Sequence, residues 1–352
     1  MKKVLMAAGG TGGHIYPAIS VAERLREKEV EVIFAGSKYR MEKKIVPQHK
    51  FPFFAFPIAR LSNVKGIFLF LISIINAIRL LKRERVDIVF GWGNYTTVPF
   101  LVAALICRKP FYLHEQNVEL GSANKFFYRY SSKIFLSFNK TFDTLPIKYS
   151  EKYQVVGNPI RKEFYDVTYS KCRAMLNIAP EEKMILVFGG SLGAKKLNDA
   201  IIEKLKEIEN SGVKFYFVVG RQLYDEVKKK IPSEIKNVKI FDYISEMYSY
   251  MAAADLIMCR SGASTVSELI VLEKPSILIP HDFVGQVQNA EVVAKVGAAY
   301  IYRNSEVKNG IDKALSIVQN PSLLRMMEKN LRELQHENVV GKIAENLNIW
   351  RT

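Results

Sequence analysis

The sequence predicts an α/β protein built from two doubly wound parallel sheets of the Rossmann type. Short, continuous apolar runs rich in Val, Ile and Phe alternate with helix-length segments along the chain, which is the pattern of parallel strands covered on both faces. A buried strand that runs into a glycine-rich loop also occurs twice, at Lys3–Gly13 and again at Lys183–Gly193. The length of 352 residues suits two domains of ordinary size.

Each half of the chain contains a series of predicted strands. Those of the first half are Val4–Ala8, Glu31–Ala35, Asp87–Phe90, Phe111–His114, Lys133–Ser137 and Gln154–Val156. Those of the second half are Met184–Phe188, Lys214–Val219, Val238–Phe241, Leu256–Cys259, Ser276–Ile279 and Ala299–Tyr302. The turn cluster Gly157–Pro159 lies between the two series, so we expect a first domain at residues 1–158 and a second at residues 159–336.

The last part of the chain is expected to be helical. Asn320 followed by Pro321 is a typical helix start, because Asn caps the first turn and Pro fits its first position. A break in the helical pattern that follows is expected near Gly341.

Composition narrows the class of protein. The formal net charge of +16 favours anionic partners such as nucleotide phosphates, nucleic acid or an acidic membrane surface. Lys and Arg are dispersed apart from residues 79–85 and 226–230, so no nucleic-acid surface is predicted. The three cysteines, Cys107, Cys172 and Cys259, are too far apart for a disulfide framework or a CxxC metal site. They are typical of a protein in a reducing cytoplasm.

Residues 66–78 are nearly all apolar and are followed by Arg79, Lys82 and Arg83. The run is shorter than the roughly 20 residues of a membrane-spanning helix. Two interpretations stay open. The segment is either a buried core helix or an interfacial helix whose flanking cations contact anionic lipid.

Glycine-rich loops after strands suit anion binding, because backbone N–H groups and a helix N-terminus can approach a phosphate closely. Three loops have this form: Gly9–Gly13, Gly91–Thr97 and Gly189–Gly193. The first departs from the dinucleotide pattern GxGxxG at Ile15, and the third departs from the P-loop pattern, with Ala194 where a glycine belongs. The loops therefore predict a diphosphate on a carrier other than NAD, without ATP hydrolysis.

The third loop also reads GxSxG, the nucleophile elbow of serine hydrolases. Ser191 with Asp255 or Asp282 and with His281 or His336 would supply a permitted order of triad residues. This alternative does not explain the two glycine-rich loops in the first half of the chain.

Further polar groups follow predicted strands, where ligands bind in open α/β sheets. The segment Arg260–Glu268 combines small residues at a helix start with a carboxylate suited to a ribose diol, and His114–Asn117 ends a strand with polar side chains. His14 follows the first loop and can accept a proton near neutral pH. The chain contains no Asp-x-Asp motif, so no metal is expected at a nucleotide diphosphate.

Five motifs occur in order along the chain: Gly9–His14 with Pro17, His114–Asn117, Gly157–Arg161, Gly189–Ala194 and Arg260–Glu268. Together they resemble the MurG family, the peripheral-membrane N-acetylglucosaminyltransferases that complete lipid II in peptidoglycan synthesis. The resemblance implies a GT-B architecture, with two Rossmann-like domains facing a cleft and a helix at residues 337–352 that packs back on the first domain.

The resemblance also implies the substrates. The donor would be UDP-GlcNAc, with the backbone of Ile244 reading uracil, Glu268 binding the ribose and Gln286 binding the GlcNAc hydroxyls. The implied donor contacts are Thr11, Gly12, Gly13, Arg161, Ser191, Ile244, Ala263, Thr265, Glu268 and Gln286. Gly285 stands where the family commonly has a polar residue.

The implied acceptor is lipid I, undecaprenyl-pyrophosphoryl-MurNAc-peptide, held by His14, Tyr95, Asn117 and Asn124. His14 is the expected general base, and Glu115 is the second candidate. The resemblance further implies no cofactor, a peripheral position on the cytoplasmic face of the plasma membrane, and partners among the proteins of cell-wall synthesis. A sugar-nucleotide epimerase of the same fold is an alternative.

Overall fold

A computed structural model of the protein describes residues 2–59, 64–190, 194–281, 285–347 and 349. The chain divides into two compact units. The first unit comprises the residues up to Arg161 together with those from His336 onward, and the second comprises Lys162–Gln335.

Within the described residues, the first unit contains a sheet of seven parallel strands. They are β1 Lys3–Ala7, β2 Glu31–Ser37, β3 Phe53–Phe56, β4 Ile88–Gly91, β5 Phe111–Glu115, β6 Lys133–Leu136 and β7 Tyr153–Val155. Their order is β3-β2-β1-β4-β5-β6-β7. Successive strands are added toward one edge of the sheet from β1 to β3 and toward the other edge from β4 to β7. The position between β1 and β4 is therefore a topological switch point, which is where open α/β sheets bind ligands.

The second unit repeats this topology with six parallel strands in its described part. They are β8 Met184–Phe188, β9 Lys214–Val218, β10 Val238–Phe241, β11 Leu256–Cys259, β12 Ser276–Leu278 and β13 Ala299–Ile301. The order is β10-β9-β8-β11-β12-β13, with the switch point between β8 and β11.

Helices connect the strands of each sheet. In the first unit they are α1 Gly12–Glu27, α2 Glu42–Gln48, α3 Val64–Arg83, α4 Val98–Ile106, α5 Ser122–Phe127 and α6 Asn139–Asp143. In the second they are α7 Glu163–Asp166, α8 Tyr169–Met175, α9 Lys195–Glu203, α10 Leu205–Ser211, α11 Tyr224–Lys230, α12 Met247–Ala253, α13 Ala263–Val271, α14 Gln286–Lys295, α15 Val307–Val318 and α16 Pro321–Arg332. The helix α17, Val339–Glu345, belongs to the first unit.

The alternation of side chains along β1 divides the core of the first unit into two layers. Val4 and Met6 point into the layer under α1, which also contains Ile343 and Leu347 from the end of the chain. Leu5 and Ala7 point into the opposite layer, under α3 and α4. Apolar residues on both faces explain the continuous hydrophobic runs of the sequence.

Every strand predicted from the sequence is present, with bounds that differ by at most two residues. One strand, β3, has no counterpart in the prediction. The capping role of Asn320 is confirmed, because its side chain accepts the N–H of Leu323 at 3.0 Å. The break predicted near Gly341 is present slightly earlier, at residues 333–338, which include Asn338 with a φ of +49°, and α17 itself runs through Gly341.

Candidate active site

A cavity of about 630 Å³ opens in the first unit, beside the switch point of its sheet. Its lining has two kinds of wall. The polar wall consists of His14, Gly93, Asn94, Tyr95, Glu115, Asn117, Gly121 and Ser122. The apolar wall consists of Val98, Val102, Ala123, Phe126 and Phe127. The cavity therefore suits a ligand with a polar group and an apolar part.

His14 is held by a side-chain amide in a defined tautomer. Its Nδ1 lies 2.9 Å from Oε1 of Gln116, and Nε2 of Gln116 donates to the backbone oxygen of Trp92 at 3.2 Å. Because a carbonyl only accepts hydrogen bonds, the amide nitrogen must face Trp92 and the amide oxygen must face His14. Nδ1 of His14 therefore carries the hydrogen, and Nε2 keeps a lone pair that can accept a proton.

Glu115, the second candidate for the base, is buried and fully engaged. Its Oε1 accepts the backbone and side-chain N–H groups of Asn117 at 3.0 and 3.2 Å. Its Oε2 accepts the N–H of Gly121 and the side-chain amide of Asn124, both at 2.9 Å. Four donors on one carboxylate leave it suited to shaping the loop rather than to taking a proton from a ligand.

The predicted acceptor residues come together in this unit, at different depths. Tyr95 and Asn117 line the cavity, and the Tyr95 hydroxyl accepts a hydrogen bond from Nε of Arg40 at 3.3 Å. Asn124 is fully buried and does not line the cavity. Its amide supports the wall instead, by donating to the carbonyl of His114 and to Glu115, each at 2.9 Å.

Asn94 adopts a backbone conformation that is close to exclusive to glycine, with φ +72° and ψ +156°. Strain of this kind costs about 1–3 kcal/mol and gathers at functional sites. The side chain compensates by accepting the N–H of Tyr95 at 2.6 Å and donating to the carbonyl of Gly9 at 3.4 Å. Two of the predicted glycine loops are thus joined at the cavity, and Asn94 is a site residue that sequence reasoning missed.

The first loop leads into α1. Thr11 is the N-cap residue of that helix, and its exposed side chain makes no capping hydrogen bond. Gly12 and Gly13 form the first turn of α1. Arg161 lies in the same unit, with its guanidinium 5.0 Å from the centre of the Tyr16 ring on α1.

Most of the remaining predicted donor residues lie in the second unit. They are in the first turns of α13 and α14, which begin at the carboxyl edge of the sheet. Gly262 caps α13 without a side-chain acceptor, and Ala263 follows it. Thr265 and Glu268 of α13 are half-buried. The Ser261 hydroxyl donates to the carbonyl of Gln286 at 2.8 Å and so ties the start of α13 to the start of α14.

Gln286 is the first residue of α14, and its Oε1 accepts the N–H of His281 at 3.0 Å. Gly285 precedes it with a φ of +64°, a conformation that glycine adopts without strain. Ile244 follows β10 with its side chain buried. Ser191 lies outside the described residues.

The structure excludes Asp255 as the acid of the serine-hydrolase alternative. Asp255 precedes β11, and its carboxylate accepts the N–H of Met184 at 2.8 Å and pairs with Arg173 at 3.3 Å. Met184 begins β8, whereas the GxSxG segment follows the other end of that strand. Five residues at about 3.3 Å each separate the two edges, so Asp255 lies at the opposite edge of the sheet from Gly189 and Gly190, the described residues of the GxSxG segment.

Helix α3 exposes a stripe of apolar side chains followed by cations. Phe68, Leu71 and Ile75 are 62%, 53% and 50% exposed, and their spacing of three and four residues places them on one face. Arg79 and Lys82 continue that face and are also exposed. The interpretation as a core helix holds only for the opposite face, where Ser73, Ala77, Leu80 and Leu81 are buried. None of the helices in the described ranges has the length and apolar character needed to cross a bilayer.

Models of known protein families match both units. The glycosyltransferase family 28 N-terminal domain matches residues 4–136. The glycosyltransferase family 28 C-terminal domain matches residues 184–345. Together they cover more than half of the chain.

A protein of Fusobacterium nucleatum is 40% identical over 100% of this chain and 99% of its own length, and its name is UDP-N-acetylglucosamine–N-acetylmuramyl-(pentapeptide) pyrophosphoryl-undecaprenol N-acetylglucosamine transferase. The crystal structure of Acinetobacter baumannii MurG superposes with a TM-score of 0.80 at 27% identity, over 98% of this chain and 99% of that one. A Neisseria meningitidis UDP-GlcNAc 2-epimerase shares the fold, with a TM-score of 0.73 at 16% identity over 97% of this chain and 98% of that one. The GT-B fold predicted from the sequence is confirmed, and the chain belongs to the MurG family of glycosyltransferases.

Proposed function

We propose that the protein is an inverting glycosyltransferase that moves GlcNAc from UDP-GlcNAc to the C4 hydroxyl of the MurNAc of lipid I, giving lipid II. The observation that carries the proposal is the two-sided cavity of the first unit. Its polar wall suits a pyrophosphoryl sugar, and its apolar wall suits the first part of a lipid carrier. The names of the full-length relatives support the same substrates.

The reaction is a direct displacement at the anomeric carbon of GlcNAc. The C4 hydroxyl oxygen forms a bond to that carbon, the bond from the carbon to the diphosphate oxygen breaks, and UDP leaves with the electron pair. Nε2 of His14 takes the hydroxyl proton, because its lone pair is kept free by the bond from Nδ1 to Gln116. General-base catalysis of this kind contributes about 10²- to 10⁴-fold.

The donor is assigned to the loops and helix starts named above. Glu268 accepts hydrogen bonds from the ribose hydroxyls, the backbone of Ile244 reads the uracil edge, and Gln286 binds the GlcNAc hydroxyls. The first amides of α13, at Ala263 and Thr265, and those of the Ser191 loop stabilise the negative charge that develops on the diphosphate. The remaining residues assigned to the donor are Arg161 and the start of α1, at Thr11, Gly12 and Gly13.

The acceptor and its membrane are assigned to the first unit. His14, Tyr95, Asn117 and Asn124 hold or shape the site for lipid I. The α3 stripe brings this cavity to an anionic membrane surface, with its apolar residues in the headgroup layer and its cations on the lipid phosphates. We place the protein on the cytoplasmic face as a peripheral protein, in reach of other proteins of cell-wall synthesis and without a nucleic-acid partner.

The test is transfer of labelled GlcNAc from UDP-GlcNAc to a MurNAc-pyrophosphoryl-prenyl acceptor by the purified protein. We expect product only when both substrates are present, a β-linked sugar as inversion requires, and turnover that survives chelation of divalent ions. Formation of UDP-ManNAc without acceptor would identify an epimerase. Covalent labelling of Ser191 by a fluorophosphonate would identify a hydrolase.

A further inference from the structure

Behind the cavity, a chain of hydrogen bonds connects His14 to the end of the first domain's sheet. The side-chain amide of Gln116 reaches His14 through Oε1 at 2.9 Å and His114 Nδ1 through Nε2 at 3.1 Å. On its other side, His114 Nε2 lies 3.2 Å from the carbonyl oxygen of Gly157. Two histidines are thus bridged by one amide, and the second histidine ends on a backbone carbonyl.

Each hydrogen in this chain has one consistent position. The carbonyl of Gly157 can only accept, so Nε2 of His114 carries a hydrogen and Nδ1 of the neutral ring accepts from Gln116. The amide hydrogens of Gln116 then go to His114 and to the carbonyl of Trp92, which leaves Oε1 as the acceptor for Nδ1 of His14. The opposite arrangement would set the amide oxygen of Gln116 against the carbonyl oxygen of Trp92.

We propose that Gln116 and His114 are positioning residues that hold His14 in its Nδ1–H tautomer, with Nε2 open toward the cavity. The inference rests on the proposed role of His14 as general base. A base must present a lone pair to the substrate hydroxyl, whereas an imidazole with its hydrogen on Nε2 would present a donor. We call the hydrogen-bonded chain from Gly157 through His114 and Gln116 to His14 the relay. The relay therefore selects the reactive form of His14 before any substrate binds.

The surroundings of His114 keep the relay in one state. The ring is fully buried and stacks on the indole of Trp92 with 5.0 Å between the ring centres. Burial lowers the pKa of His114 to about 3, so a proton on Nδ1 that would oppose the amide of Gln116 is absent near neutral pH. Gly157 has a φ of +94°, and a Cβ there would approach the side chain of His336 to 2.9 Å. The carbonyl at the end of the relay is therefore fixed by a position that requires glycine.

The first test reads the tautomer of His14 in the wild-type protein. Long-range ¹H–¹⁵N correlation spectra of protein labelled at its five histidines report which ring nitrogen carries the hydrogen. The signal of His14 is assigned by its disappearance in His14→Ala. We expect the Nδ1–H tautomer in the free protein at neutral pH, and a His14 ring with its hydrogen on Nε2 would overturn the relay.

The second test separates the relay from general packing. Gln116→Met keeps the size of the side chain but removes both polar groups, and His114→Leu removes the acceptor for the amide of Gln116. We expect kcat to fall by roughly 10- to 10³-fold in each, with unchanged affinity for UDP. The Nδ1–H signal of His14 should be lost in Gln116→Met, which removes the acceptor for that hydrogen. His114→Asn is the matched control, because its side-chain oxygen can accept from Gln116 in place of Nδ1, and it should recover most of kcat.

The outcomes separate the positioning of His14 by Gln116 and His114 from the role of His14 as general base. Equal kcat in His114→Asn and His114→Leu, or an unchanged tautomer in Gln116→Met, would overturn the relay. Full activity in His14→Ala would overturn the assignment of the base in the proposed function, while the spectra of the wild-type protein would still report on the relay.

Discussion

The carboxylate of Glu42 accepts the backbone N–H of Gly10 at 3.0 Å, from beneath the first glycine loop. Glu42 is fully buried, and its other oxygen accepts the N–H of Ser37 at 2.8 Å. A Cβ on Gly9 would collide with that oxygen, so the glycine is required for the carboxylate to reach the loop. The backbone N–H of Gly10 is thus hydrogen-bonded within the protein and is not available to a ligand.

Replacing Glu42 by Ala should lower the free energy of unfolding by about 2–4 kcal/mol, because two buried N–H groups lose their acceptor. Urea unfolding followed by circular dichroism measures the change. Glu27→Ala is the control, since Glu27 forms only an exposed pair with Arg24 and should stay within about 1 kcal/mol of the wild type. Equal stability of the two variants would show that Glu42 does not support the loop.

His14→Ala should reduce kcat by about 10²- to 10⁴-fold while the Kd for UDP stays the same, because we propose that the lost group acts on the acceptor hydroxyl and not on the donor. The measurements are steady-state transfer rates and calorimetric titration with UDP. His49→Ala, which alters a half-buried histidine of the same unit that does not line the cavity, should keep its rate. A parallel loss of affinity for UDP would instead place His14 at the donor.

Glu268→Gln should weaken binding of UDP roughly 10- to 100-fold, because the carboxylate that we propose as the acceptor for two ribose hydroxyls is replaced by an amide of the same size. Calorimetry with UDP and with 2′-deoxy-UDP tests the assignment, since the deoxy ligand should lose part of the difference. Glu273→Gln, just beyond α13 and paired with Arg332 at 2.9 Å, serves as the control. Unchanged affinity in Glu268→Gln would refute the ribose role.

Phe68→Asp combined with Leu71→Asp should lower binding to anionic vesicles at least roughly tenfold, because two charges enter the face that we propose contacts lipid. Phe70 is unsuitable for this test, as it packs against the core. Vesicle sedimentation at low and high salt measures the loss, and wild-type binding should weaken with salt. Met175→Asp, at a 65% exposed apolar position of the second unit, should bind like the wild type. A matched loss in that control would mean that α3 is not the contact.

Acid should destabilise the protein through His114. Burial lowers the pKa of this imidazole from 6.5 to about 3, so the unfolded chain binds a proton in this window that the folded protein does not. The free energy of unfolding therefore falls as the pH drops from 6.5 to about 3, by up to about 1.4 kcal/mol per pH unit. Burial lowers the pKa of His336 as well, which acts in the same direction. His114→Asn should show a shallower slope in urea unfolding across this range, and an identical slope would contradict the assignment.

Most of the fold followed from local signals in the sequence. Parallel strands buried on both faces are continuous apolar runs, and glycines mark the loops after β1, β4 and β8, so both sheets could be predicted. The edge strand β3 could not, because Phe53–Phe56 is short, lies directly between two prolines and is only partly buried. The orientation of α3 was open as well, since nearly every residue of its first turns is apolar and the packing against α4 and the sheet decides which face is covered.

The site was predictable as a set of loops but not as a set of hydrogen bonds. His14, Glu115 and Asn117 stood out because they follow strands. Glu42 gave no signal, since an isolated acid at a helix start is ordinarily a surface residue. The orientation of Gln116 depends on the carbonyl of Trp92, which is distant in sequence, and therefore needs the tertiary structure.

The packing of α17 against α1 has a consequence for synthesis on the ribosome. Ile15 and Ile19 share a core layer with Val339 and Ile343, which are translated more than three hundred codons later. The second unit draws on no such distant segment. The first unit therefore cannot complete this core layer until α17 has been synthesised, whereas every segment of the second unit is translated before that point.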